Sequence, residues 1–176
     1  SMKRLTMQEI WLETIGVDPL LYLEAPKLRA LIETQFPDVP LPKSELPWDD
    51  YFFLLFLNKI EPEFKRWPLL MVTEFPAPLA ALSTLKVSNP RVCERFEVYV
   101  NGVELCNAYN ELTDPSEQRR RFVEQAKAKQ AIYGYSLPTA SRFLEALDKG
   151  LPPSAGIALG VERLLYSLFA VDDPFF

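Results

Sequence analysis

Apolar positions in the first third of the chain recur at helical spacing. Thr6 followed by Glu9 forms a capping box, and Ile10, Trp11 and Ile15 behind it predict a helix that stops near Gly16. Leu28, Leu31 and Ile32 share one stripe of a second helix over 26–36. A proline-rich link, "PDVPLPKSELP", leads to "WDDYFFLLFLNKI", where Trp48, Phe52, Leu55, Phe56 and Ile60 recur on one helical face. Aromatic stripes at this spacing read as core rather than as a ligand box. The pattern divides the chain into a helical segment, 1–66, and a sheet-containing part, 67–176.

Beyond Pro68 the period changes. "LLMVTEF" has strand composition and ends at Pro76 and Pro78. "RFEVYVNGVELCNAYNEL", residues 95–112, reads as two strands joined by Asn101-Gly102, a two-residue turn of the type I′ kind. Asp114, Pro115 and Glu117 are an N-cap, a first-turn proline and a capping-box partner for a helix to about Tyr133. "TASRFLEALDKG" gives a further helix closed by Gly150, and "GIALGVERLLYSLFAV" reads as a short buried strand, a glycine and an amphipathic helix. The expected fold is α+β, an antiparallel sheet flanked by helices.

The hairpin carries an unusual number of carboxylates. With Asn101 and Gly102 as the loop, Val100 faces Val103, Tyr99 faces Glu104 and Val98 faces Leu105. Alternation then puts Glu97, Tyr99 and Glu104 on one face, and Phe96, Val98, Val100, Val103 and Leu105 on the other, which the pattern assigns to the core. Glu97 and Glu104 are diagonal neighbours with Cβ atoms about 7 Å apart or less, near enough to converge on one cation such as magnesium carrying a polyphosphate. Two glutamates on the wet face of a sheet need no partner, so spacing alone leaves both readings open. Asn107, Tyr109 and Glu111 have the opposite parity. They join the face of Glu104 only if a β-bulge near Leu105 and Cys106 shifts the register.

Composition narrows the chemistry. The 176 residues contain no histidine and only two cysteines, Cys93 and Cys106, which excludes a cysteine–histidine zinc site and histidine acid–base catalysis. A formal charge of −5 gives no general field for phosphate backbones, so bulk nucleic-acid binding is not expected. No apolar run reaches membrane-span length, and the start lacks the apolar core of a signal peptide, which together predict a cytoplasmic location. Ser1 before Met2 reads as a scar of tag removal.

"EFPAPLAALSTLKVSNPRVCERFEVYVNGVELCNAYNELTDPSEQRRRF" together with "GIALGVERLL" resembles the second half of a class II lysyl-tRNA synthetase catalytic core. Within that family the likeness is greatest to the branch that ligates β-lysine to elongation factor P. It is strong from about Val72 to Val171. The resemblance implies ATP and magnesium as cofactors, lysine or β-lysine as substrate, and elongation factor P as acceptor. It also implies residue roles: Glu97 and Glu104 hold magnesium on ATP, while Asn107, Tyr109 and Glu111 line the amino-acid pocket, with Glu111 taking the distal ammonium. Gly160 admits the nucleotide, and Arg163 meets its adenine and terminal phosphate. Ala158 stands where lysyl-tRNA synthetases usually carry glycine and marks the protein-modifying branch, whereas Glu162 replaces the usual aspartate.

Class II enzymes carry three motifs, and only the third is recognisable here. Without the second motif's arginine the α-phosphate lacks preorganised positive charge, so the 176-residue chain alone is expected to form little adenylate. Two other readings stand beside the ligase. One is a catalytically inactive paralogue that acts as a regulatory or interaction module, self-associating as a homo-oligomer or covered by a partner. The other is a fragment of a true lysyl-tRNA synthetase, against which the lack of room for an anticodon-binding domain counts.

Overall fold

A computed structural model describes residues 1–136 and 138–169. Strand β1 (Lys3–Thr6) runs directly into helix α1 (Met7–Ile15), with the capping box formed as predicted and Gly16 in the left-handed C-cap. Helices α2 (Ala25–Gln35) and α3 (Trp48–Leu55) follow. The helical path continues through a π turn, Phe56–Ile60, and a 3₁₀ segment, Glu61–Arg66. Then come β2 (Leu69–Thr73), the short pair β3 (Leu85–Lys86) and β4 (Asn89–Cys93), and the hairpin β5 (Arg95–Val100) and β6 (Val103–Asn110). Helices α4 (Pro115–Tyr133) and α5 (Ser141–Asp148), strand β7 (Ala155–Leu159) and helix α6 (Val161–Phe169) complete the described chain. The last two residues of the helix predicted over motif 3, 170–171, lie outside the described residues.

The main sheet has the order β1-β2-β5-β6-β7. It is antiparallel throughout except for β1, which pairs parallel with β2. The fold is therefore α+β, a largely antiparallel sheet flanked by helices. Strand β1 was not predicted, and through it the 1–66 segment joins the sheet rather than lying beside it. One core spans the 66/67 boundary: Met7, Ile10 and Trp11 of α1, Leu28 and Ile32 of α2, and Phe52 and Leu55 of α3 pack with Phe64, Leu70, Val72 and Tyr99. Phe52 is its hub, stacked on Trp11 at 5.1 Å, Trp48 at 5.2 Å and Phe56 at 5.6 Å between ring centroids.

Two expectations are corrected. The helices cover the face of β5 that carries Glu97 and Tyr99, both buried, and not the apolar set. Phe96, Val98 and Val100 are half-buried and Val103 is exposed; on that side only the short side chains of Cys106 and Ala108 are buried. The reason is that α1–α3 dock on the side where Leu5, Leu70 and Val72 point, and strand pairing carries Glu97 and Tyr99 to the same side. Strand β7 is also not buried: it is the sheet's outer strand, with Ile157 61% and Leu159 47% exposed. Among the described residues no helix is long and apolar enough to cross a membrane.

Candidate active site

The site begins with the turn. Asn101 and Gly102 both take positive φ, 50° and 85°, as a type I′ hairpin requires, and this sets Val100 opposite Val103 and Tyr99 opposite Glu104. The next pairs are Val98–Cys106 and Glu97–Asn107, so Leu105 is the extra residue of a bulge, where the sequence called for one. Val98 therefore does not face Leu105 as unbroken alternation would have it. The slip carries Asn107, Tyr109 and Glu111 to the face of Glu97 and Glu104.

Pairing with β7 then lines up two rows across three strands. Glu97, Asn107 and Ala158 form one, and Arg95, Tyr109 and Gly156 the next. Glu111 closes the second row: a Cβ on Gly156 would lie 2.2 Å from Glu111 Oε1, so the absent side chain is what lets the carboxylate lie over β7. At the other end, Gly160 N–H donates to Leu105 O at 2.9 Å and fixes the start of α6 against the bulge. Arg163 on that helix donates from Nη1 to the Glu104 main-chain oxygen at 2.8 Å and sits 3.7 Å from Glu104 Oε2. All eight residues singled out from sequence thus lie along β5, β6, β7 and the start of α6, from Glu104 beside the turn to Glu111 just past the far end of β6. The most exposed of them is the edge-strand residue Ala158.

Charge on this face is unevenly matched. Glu97 is only 6% exposed; Arg95 Nη2 donates to its Oε1 at 2.5 Å and the Tyr99 hydroxyl donates to its Oε2. Burial nevertheless raises its pKa above the ordinary value, with Arg95 and Tyr99 opposing the rise and Glu104 adding to it. Glu61, from the 3₁₀ segment, faces the same cluster, and its carboxyl is raised by burial first and by Glu97 and Glu104 next, with Arg163 opposing. The Tyr99 phenol is raised by burial and by the same three carboxylates.

Among the described residues this cluster sets Glu61, Glu97 and Glu104 against Arg95 and Arg163, a surplus of negative charge that a divalent cation fits. Among the described residues no group of three Cys, Asp or Glu side chains forms a metal cage. The donor set suits magnesium, which binds through one or two carboxylates and takes the rest of its shell from phosphate and water. Of the two carboxylates that could hold it, Glu104 is the accessible one, whereas Glu97 is buried with one oxygen bonded to Arg95 and the other to Tyr99.

Sequence reasoning missed three participants. Arg95 and Gly156 share the parity of Glu97 and Ala158, so the alternation that found the others contained them. Glu61 carries no local signal, since only the docking of 61–66 against the hairpin brings it there.

The family model "tRNA synthetases class II (D, K and N)" matches residues 1–173. Proteins named elongation factor P–(R)-β-lysine ligase are similar over nearly all of the chain. The one from Hamiltonella defensa is 38% identical over 168 residues, 94% of this chain and 50% of its own length. That from Proteus mirabilis is 36% identical over 172 residues, 98% and 52% respectively. That from Vibrio cholerae is 38% identical over 167 residues, 94% and 50%. The chain spans about half the length of the curated relatives it matches, and it belongs to the class II tRNA synthetase family of the D, K and N type.

Proposed function

We propose that this chain is the portion of a lysyl-tRNA-synthetase-like ligase that holds magnesium–ATP and a lysine-type amino acid, activating the latter for transfer to elongation factor P. The carrying observation is the bulged hairpin, which sets Glu97, Asn107, Tyr109 and Glu111 on the face of Glu104 and Arg163. Glu104 and Glu97 hold the cation. Glu111 receives the distal ammonium in a charge-assisted pair, Asn107 and Tyr109 orient the amino acid, and Ala158 sets the floor between them. Arg163, a planar and permanent cation, faces the nucleotide, with Gly160 leaving room at the helix start. When bound, ATP supplies the α-phosphorus that accepts the amino acid's carboxylate and releases pyrophosphate. The names of the relatives support (R)-β-lysine over lysine as the substrate and elongation factor P as the acceptor.

Pyrophosphate exchange tests this reading, with the chain joined to the remaining half of a relative's length. Exchange dependent on lysine or β-lysine, and lost in Glu104→Ala and Arg163→Ala, is the expected result. No exchange with either amino acid would end the ligase reading.

A second reading, an interaction module without catalysis, is favoured by one observation. Beside the exposed β7, Leu168 and Phe169 of α6 are 69% and 73% exposed. It predicts weak or absent ATP binding, and a homo-oligomer or a complex with another protein in solution. Tight calorimetric binding of magnesium–ATP by a monomer would remove it.

A further inference from the structure

Among the described residues, Arg95 is the one cation enclosed among the proposed amino-acid contacts. Its side chain is 11% exposed, and its guanidinium lies 4.5 Å from the Phe75 ring centroid and 5.5 Å from that of Tyr109. Each part of the fork has a separate acceptor. Nη2 donates to Glu97 Oε1, Nη1 to Leu79 O at 3.1 Å, and Nε to Asn107 Oδ1 at 3.2 Å. A guanidinium cannot accept a hydrogen bond, so the oxygen end of the Asn107 amide has to face Arg95. Its nitrogen end then faces away, and Nδ2 donates to the Tyr109 hydroxyl at 3.0 Å. That hydroxyl, having accepted, keeps its own proton to donate. The chain of bonds thus settles both the amide's orientation and the polarity of the tyrosine beside Glu111.

We infer that Arg95 is a positioning residue for the amino-acid half of the site. Acting through Asn107, it turns the Tyr109 hydroxyl into a hydrogen-bond donor, and the ligand class it favours is an amino acid presenting an oxygen acceptor within reach of that hydroxyl. This rests on the reading of Asn107 and Tyr109 as substrate contacts. Arg95→Lys separates position from charge, since an ammonium keeps the cation beside Glu97 but cannot serve the three acceptors with a rigid fork.

The test is calorimetry on the full chain and on the joined protein, with lysine, (R)-β-lysine and magnesium–ATP titrated separately. Arg95→Lys is expected to weaken amino-acid binding about tenfold or more and magnesium–ATP binding by clearly less, because the ammonium keeps a positive charge beside Glu97. Tyr109→Phe is expected to weaken amino-acid binding less, and to add nothing on top of Arg95→Lys, because the hydroxyl's polarity is already lost. Equal losses for both ligands, or additive effects of the two substitutions, would overturn the inference. If the unsubstituted protein binds neither amino acid, the ligase reading fails on its own, and the Arg95 relay is decided by a urea-unfolding cycle of Arg95→Lys with Asn107→Ala. Non-additive midpoints sustain the coupling between Arg95 and Asn107, and additive ones refute it.

Discussion

The two faces of the main sheet invert the usual division of labour. The covered face presents Glu97, Tyr99 and Asn107 next to Leu70 and Val72, whereas the uncovered one presents Phe96, Val98 and, on β7, Ile157 and Leu159. Apolar content therefore does not say which face is sealed. The docking of α1–α3 does, and it places a polar cluster at the edge of an aromatic core, where low polarity strengthens each charge–charge contact.

The sharpest way to break this contrast is to remove a core ring and an open-face side chain in parallel. Phe52→Ala empties a space lined by Trp11, Trp48 and Phe56 and should cost about 3–5 kcal/mol of unfolding free energy. Val98→Ala should cost about 1 kcal/mol or less in the same urea titration, because its side chain already meets solvent. Similar losses would mean that the open face is sealed in solution.

Next in size is Tyr99→Phe. The ring keeps its edge contact with Phe64 at 4.6 Å, but Glu97 Oε2 loses its buried donor, so about 1–3 kcal/mol should be lost on thermal or urea unfolding. A neutral outcome would show that water reaches Glu97. Gly156→Ala should change stability by only about 1 kcal/mol or less, because the group in the way is the tip of the flexible Glu111 side chain. It should nonetheless weaken binding of lysine-type amines measurably, since that carboxylate must swing off β7.

The smallest effect concerns a surface carboxylate, the opposite of Glu97. Hydrogen bonds from Arg120 and then Arg121 hold the Glu117 pKa down to about 2, against an ordinary value of 4.5. The folded state therefore binds fewer protons than the unfolded state between these values. Glu117 contributes stability in full above about pH 4.5 and loses it as pH falls toward about 2. Circular dichroism across that range should show a shallower acid limb for Glu117→Gln than for the parent chain.

Local chemistry made much of this legible. The Thr6–Glu9 box, the Asn101–Gly102 turn and the Asp114 cap each rest on neighbours within four residues, and each formed where the sequence placed it. The bulge was legible for another reason: Glu104 and the Asn107–Glu111 row could share a site only if the register slipped. What stayed hidden depends on distant partners. "KRLT" has no strand pattern of its own and becomes β1 by lying along residues 70–73. Alternation in β5 defines two faces but cannot say which one helices from residues 7–60 will cover. Strand β7 has the apolar run of a buried strand, yet among the described residues it has one neighbour in the sheet and remains exposed.

The extra residue at Leu105 divides β6 into two separately anchored stretches. Glu104 keeps step with the tight turn, whereas Asn107, Tyr109 and Glu111 keep step with β7 and with the start of β5. A change in loop length at 101–102 would therefore move the carboxylate beside Arg163 and spare the other three. A change at the β7 edge would act first on Asn107, Tyr109 and Glu111, and would reach Glu104 through Gly160 and Arg163. Variation in the turn can accordingly retune the Glu104 half of the site without disturbing the other.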